Sequence, residues 1–303
     1  MRRRAAGVLA VCSLLVSLAG CAETRPARPG PTVTPVMIDL ATRSGRWTAD
    51  AEQLQLAFDL LDRACLRRAG FAPPRASRLS LPVPEDETAA IGMAERSRVG
   101  YGIAGAGTSG TRRPETEPDR YTTALSRQGR QRYGDAQFGP GAPKVTVPLL
   151  GRAKAHVPAA GCVAEGRRRL AGGAGVWARL DYLPQQFDDR VSQEAQREPV
   201  YASALTTWRS CMRQRGYHHA DPEAARTWVR DAYRRRGNTA ALRHKEIALA
   251  VADGRCAARG HLPTALLRAR RARVARLPRV DLTVLRALSD CWLAAVARAR
   301  AVR

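Results

Sequence analysis

Cys65-Leu66-Arg67-Arg68-Ala69-Gly70-Phe71 and Cys211-Met212-Arg213-Gln214-Arg215-Gly216-Tyr217 are two versions of one helix ending. Cysteine, first arginine and glycine agree, and Leu/Met and Phe/Tyr are conservative. A glycine just past a helix, followed by a hydrophobe, is the Schellman pattern: the glycine enters the left-handed region and the hydrophobe folds back on the last turn. Upstream of the first copy, Leu54, Phe58, Leu61 and Cys65 recur every three or four residues, the period of a half-buried helix, with Thr48 and Asp50 as candidate caps. Pro73-Pro74 forbids continuation beyond Gly70.

Helical periodicity extends outward from these two endings. Residues 162–171 form one segment, and residues 193–215 another, with Pro199 at a start or a break. Asp221-Pro222-Glu223 opens a helix to Arg236, with proline at a first-turn position. Residues 242–259 and 264–276 follow, and Asp281 is expected to cap a last helix with Leu282, Leu285, Leu288, Trp292, Ala295 and Val296 on one face. Only 5% of residues are aromatic, so the core is built mainly of Leu, Ala and Val, which favours helices over sandwiches and barrels. The expected fold class is mainly α: a cysteine-stapled helical body over residues 46–303.

Residues 72–160 lack this period and are rich in Gly and Pro. They read as a loop-rich insertion with β-like pieces at residues 80–83 and 145–147, a short helix near residues 121–128 and a mobile centre near residues 105–117.

The beginning of the chain carries an address. Met1-Arg2-Arg3-Arg4 precedes an apolar run from Ala5 to Leu18, which ends in Leu18-Ala19-Gly20-Cys21. A positive start, a short apolar stretch and small residues before a cut make a secretory leader over residues 1–20. The final four residues resemble the lipobox of bacterial lipoproteins. That likeness implies a diacylglyceryl thioether on Cys21, an extracytoplasmic location and a membrane anchor. Residues 21–45, with Pro26, Pro29, Pro31 and Pro35, read as an extended tether.

An oxidising compartment permits disulfides. Beyond Cys12 and Cys21, the cysteines are Cys65, Cys162, Cys211, Cys256 and Cys291. The matched helix endings suggest Cys65–Cys211, then Cys162–Cys256, with Cys291 left over on the apolar face near Trp292. Reduced, buried thiols are the other expectation, and spacing alone does not fix connectivity. No two of these cysteines form a C-x-x-C metal clip.

The formal net charge is +24, and lysine occurs only at Lys144, Lys154 and Lys245, so arginine supplies nearly all the positive charge. With heavy Ala and Gly use, this looks like the composition of a GC-rich genome. The densest cluster is Arg268, Arg270, Arg271, Arg273 and Arg276, expected to form a basic surface. Outside the cell its partners would be anionic lipid or wall polymer; nucleic acid is disfavoured because the leader removes the chain from it.

Catalytic motifs fail on context. Gly105-Ala106-Gly107-Thr108-Ser109-Gly110 spells G-x-G-x-x-G, but Arg112-Arg113-Pro114 follows where a helix should begin. Thr111 breaks a G-x-S-x-G elbow at Ser109. His218-His219 sits past a helix end, and Asp188-Asp189 and Glu85-Asp86-Glu87 read as solvated loop acids. No cofactor or metal is expected.

The islands Leu18–Cys21, Gly161-Cys162, Trp208-Arg209-Ser210-Cys211-Met212 with Gly216-Tyr217, and Glu246-Ile247-Ala248-Leu249-Ala250-Val251-Ala252-Asp253 leading to Cys256 are similar to those of a group of actinobacterial, Streptomyces-like secreted lipoproteins. The likeness implies a helical, cysteine-stapled extracytoplasmic body and no activity. The expected role is non-enzymatic binding of an envelope partner or surface. Polyanion binding through the C-terminal arginines and an envelope hydrolase are the alternatives. A solute-binding protein is disfavoured, because its alternating α/β lobes need strands that are missing here.

Overall fold

A computed structural model of the chain describes residues 32–74, 91–104 and 117–302. The expected leader over residues 1–20, Cys21, the Gly105–Gly110 motif, the β-like piece expected at 80–83 and Glu85–Glu87 lie outside these residues. Twelve helices and one hairpin are present among the described residues. In chain order they are α1 (Pro35–Thr42), α2 (Trp47–Arg68), α3 (Met93–Val99), α4 (Glu117–Ala124), α5 (Arg127–Phe138), β1 (Lys144–Pro148) and β2 (Lys154–Pro158). Then come α6 (Gly161–Ala171), α7 (Ala174–Ala195), α8 (Pro199–Gln214), α9 (Pro222–Arg236), α10 (Ala240–Arg259), α11 (Leu262–Val274) and α12 (Arg279–Arg300). The protein is mainly helical, as its periodicity requires.

Two apolar clusters form the interior. Met37 and Leu40 of α1, Leu54 and Leu61 of α2, Phe187 and Val191 of α7, and Leu285 and Trp292 of α12 build the first. Trp208 and Met212 of α8, Val229 and Tyr233 of α9, and Leu249 and Cys256 of α10 build the second. α11 serves both: Leu262 and Ala265 enter the second cluster and Val274 the first. Each fully buried Leu, Phe or Met removes enough surface from water to contribute about 1.5–3 kcal/mol, so the two clusters dominate stability.

The tether expectation is corrected between Pro35 and Gly45. Thr34 accepts a hydrogen bond from the Met37 amide, Pro35 occupies the first turn, and Met37 and Leu40 are fully buried. A proline at the start of a helix signals a tether only when no apolar face follows, and here Met37-Ile38-Asp39-Leu40 supplies one. The domain therefore begins before residue 46. Within the 72–160 stretch the described parts are more regular than expected. Val145–Val147 lies on β1, antiparallel to β2 with Val145 opposite Val157. Val147 and Val157 pack on Ala178 of α7. Tyr121 falls on α4, and α5 follows after a break at Leu125-Ser126, where Ser126 caps the Gly129 amide.

The 193–215 segment is two helices, with Pro199 opening the second. α7, unassigned by periodicity, contains Pro184. Its missing N–H costs one helical bond, yet packing against α1, α6, α11, α12 and the hairpin holds α7 helical. Cap expectations shift too. α2 starts at Trp47 without a side-chain cap, and Asp50 instead pairs with Arg46 and Arg300. α12 is preceded by Pro278, and Asp281 is buried in a salt bridge with Arg190 of α7.

Both echo endings adopt the same geometry. The Phe71 amide donates to the Leu66 carbonyl and the Tyr217 amide to the Met212 carbonyl, each at 3.0 Å. Their cysteines nevertheless do not meet. Cys65 is bonded to Cys162 and Cys211 to Cys256, which overturns the expected pairing. The reason is packing: α2 lies on α6, while α8 lies on α10 and α11, so equal height on two helices did not mean proximity. Cys291 is unpaired and half-buried against the first cluster.

Candidate functional site

The arginine cluster expected to face outward is largely consumed inside the fold. Arg270 is fully buried, donating to Asp188 of α7 and to the Thr42 carbonyl. Asp188 is thus a buried helix residue and not a solvated loop acid. Arg271 bonds Asp39 at 2.8 Å and the Ser44 hydroxyl at 2.6 Å. Arg273 reaches Glu194 and Glu198, and Arg276 reaches Glu198 at 2.9 Å. Arg268 alone of the five is exposed with no carboxylate among the described residues. α11 is therefore an ion-pair rack tying α1 and α7 to its own helix, because 3.6-residue spacing turns successive arginines towards different neighbours.

A second polar assembly lies in the Trp208 half. Asp253, 1% exposed, accepts from Trp208 Nε1 at 2.8 Å, Tyr101 Oη at 3.0 Å and Arg96 Nη1 at 2.8 Å. Glu246, fully buried, accepts from Tyr233 Oη at 2.7 Å and the Ile103 amide at 2.8 Å. The two acids stand seven residues apart on one face of α10, two helical turns, and hold residues 93–104 against it. Gly100, at φ +68°, and Gly254 permit this approach: a Cβ on either would lie 2.7 Å from Glu246 Cγ or Met93 Sδ. Burial, followed by the Asp253 charge, raises the Tyr101 pKa; burial, followed by the bond to Glu246, raises that of Tyr233. Both phenols stay protonated donors. These groups satisfy one another, so the assembly is structural.

His219 rests beside Trp228 with ring centroids 6.0 Å apart, and burial lowers its pKa. Among the described residues no three His, Cys, Asp or Glu side chains group to hold a metal ion.

Around Arg167 the chemistry is less balanced. Its guanidinium lies over the Phe58 ring at 6.0 Å, and its Nε and Nη1 are buried without hydrogen-bond partners, as is Asp62 Oδ1. Burial, then the charge of Asp59, pushes the Asp62 carboxyl up to about 6. A raised acid costs stability once ionised: the penalty is full above pH 6 and vanishes below the unfolded value of 3.8. Asp62→Asn is therefore expected to stabilise the protein by about 1–2 kcal/mol at pH 7, the full shift being discounted for partial exposure. At about pH 3 the gain should vanish, since the carboxyl is then protonated in both the folded and the unfolded chain. Urea unfolding of both proteins at the two pH values checks this; a gain independent of pH would contradict it.

An open concavity lies elsewhere. The last turns of α2, α6 and α12 converge on a groove of about 430 Å³, open along one side. Leu60, Leu61, Leu170 and Val302 give it an apolar floor, with Ala64 and Ala301 keeping it shallowly unfilled. Arg67, Arg169 and Arg298 rim it, all exposed, and no acid lines it. Arg298 Nε donates to the Leu170 carbonyl at 2.6 Å, which fixes that guanidinium. Arg67 and Arg169 make no ion pair with any described residue, while Arg68 beside them takes Glu165 at 2.7 Å. Sequence reading missed this site. Arg67 and Arg169 were visible as last-turn cations of two helices, but only the packing of α12 brings Arg298 to them.

Comparison of the chain with protein-family models, curated proteins and solved structures returned no match. The fold and groove define a helical body with two disulfides and an open, cation-rimmed apolar groove.

Proposed function

We propose that this chain is a lipid-anchored extracytoplasmic protein that binds an envelope partner and catalyses no reaction. The leader ending in Leu18-Ala19-Gly20-Cys21 supports the address, and two disulfides fit an oxidising compartment. The groove carries the binding reading: three arginines rim an apolar floor without a carboxylate among the lining residues. On α11, by contrast, Arg270, Arg271, Arg273 and Arg276 are all paired with carboxylates. Polyanion binding along α11 loses support for that reason.

The mature protein extracted from membranes is expected to lack residues 1–20, to carry acyl mass on Cys21 and to weigh four protons less than its reduced form. Intact mass with and without reduction measures all three, and a chain retaining its leader would refute the address. For the binding role, a photocrosslinking residue at Leu60 should trap a discrete envelope partner in cells. That adduct should disappear when Arg67 and Arg169 are both changed to Gln; an adduct indifferent to them would refute the groove as the contact.

A further inference from the structure

The groove's charge balance narrows what it accepts. Each helix C-terminus carries about half a negative charge, and three of them meet here. Three guanidinium groups therefore leave an excess of about one and a half positive charges, suited to a monoanion. The guanidinium fork matches a carboxylate with two parallel hydrogen bonds. The floor of Leu60, Leu61, Leu170 and Val302 is short, and at about 430 Å³ the groove has room for one or two apolar side chains. It lies near the small end of the ~300–1,000 Å³ range of ligand sites. A long acyl chain would leave much of its length in water through the open side and forfeit the burial of those methylenes. A peptide's C-terminal residue supplies a single negative charge beside a single side chain, and the rest of the peptide can exit through the opening.

We infer that this groove captures the C-terminal carboxylate of a partner polypeptide ending in an apolar residue. Arg67, Arg169 and the Nη atoms of Arg298 receive the carboxylate, and the final side chain lies on the leucine floor. The inference rests on the groove being the partner contact proposed above and adds the chemistry of the end it recognises.

The test uses the full mature chain in nanodiscs of phosphatidylcholine, which offers no net anionic surface. Fluorescence anisotropy would follow a labelled Gly-Ser-Ala-Leu peptide with a free carboxylate, its C-terminal amide, and decanoate as competitor. The free acid should bind more than about tenfold tighter than the amide, a gap of about 1.4 kcal/mol. The Arg67→Gln, Arg169→Gln double variant should lose a similar factor. Equal binding of acid and amide overturns the inference, as does decanoate binding more tightly than the peptide, which would assign the groove to a lipid acid. The acid–amide comparison is made on the native chain, so it stands even if the variant is unstable. If no peptide binds while the Leu60 crosslink persists and depends on the arginines, this inference alone falls and the partner contact stands.

Discussion

Asp253→Ala is expected to lower the unfolding free energy by about 3–5 kcal/mol, the usual cost of removing one member of a buried ion pair. The carboxylate is 1% exposed and serves three donors from two segments: Arg96 and Tyr101 from the α3 region, and Trp208 from α8. Its loss strips the carboxylate from an Arg96 side chain that is itself buried, and leaves a phenol hydroxyl and an indole N–H unsatisfied. Water cannot replace the lost partner cheaply, because Asp253 and its partner Trp208 are both buried. The effect should also be local. Residues 93–104 are held to α10 by Asp253 at one end and Glu246 at the other, so their amides should exchange faster in the variant than those of α12. Asp253→Asn, which keeps two acceptor positions, should cost less. Urea unfolding with hydrogen exchange measures both effects; a loss below about 1 kcal/mol with unchanged exchange would show that this assembly does not hold the segment.

Removing the Cys65–Cys162 bridge by paired serine substitutions should cost about 4–5 kcal/mol. The bridge closes a loop of 97 residues, and the entropy it removes from the unfolded chain grows with the logarithm of that length. The Cys211–Cys256 bridge, whose cysteines have a sequence separation of 45, should contribute slightly less, about 4 kcal/mol. Either loss is a large fraction of the ~5–15 kcal/mol that ordinarily separates native from unfolded chains. The two bridges close separate stretches of chain, residues 65–162 and 211–256, so their removal should be nearly additive. Digestion without reduction, followed by mass spectrometry, should yield linked peptides containing Cys65 with Cys162 and Cys211 with Cys256. Recovery of a Cys65–Cys211 peptide would overturn the pairing on which these estimates rest.

Sequence periodicity alone specified the helical class, the two Schellman endings at Gly70 and Gly216, the start of α9 at Pro222 and the apolar face of α12. These features are local: a helix ending needs only its own last turn, and a stripe needs only a repeat of three or four residues. Pairings between elements were not legible. Matched cysteines at Cys65 and Cys211 pointed at one another by analogy, yet their helices serve different clusters. Arg270 and Asp188 each looked like a solvated charge until α11 and α7 met, and α7 itself was hidden because Pro184 interrupts the expected composition of a helix. The groove is the extreme case. Arg67, Arg169 and Arg298 are separated by more than a hundred residues at each step, and each alone is an ordinary cation at a helix end. Local hydrogen bonding and periodicity are written in neighbouring residues, whereas burial, charge pairing and concavity arise only when distant surfaces exclude water together.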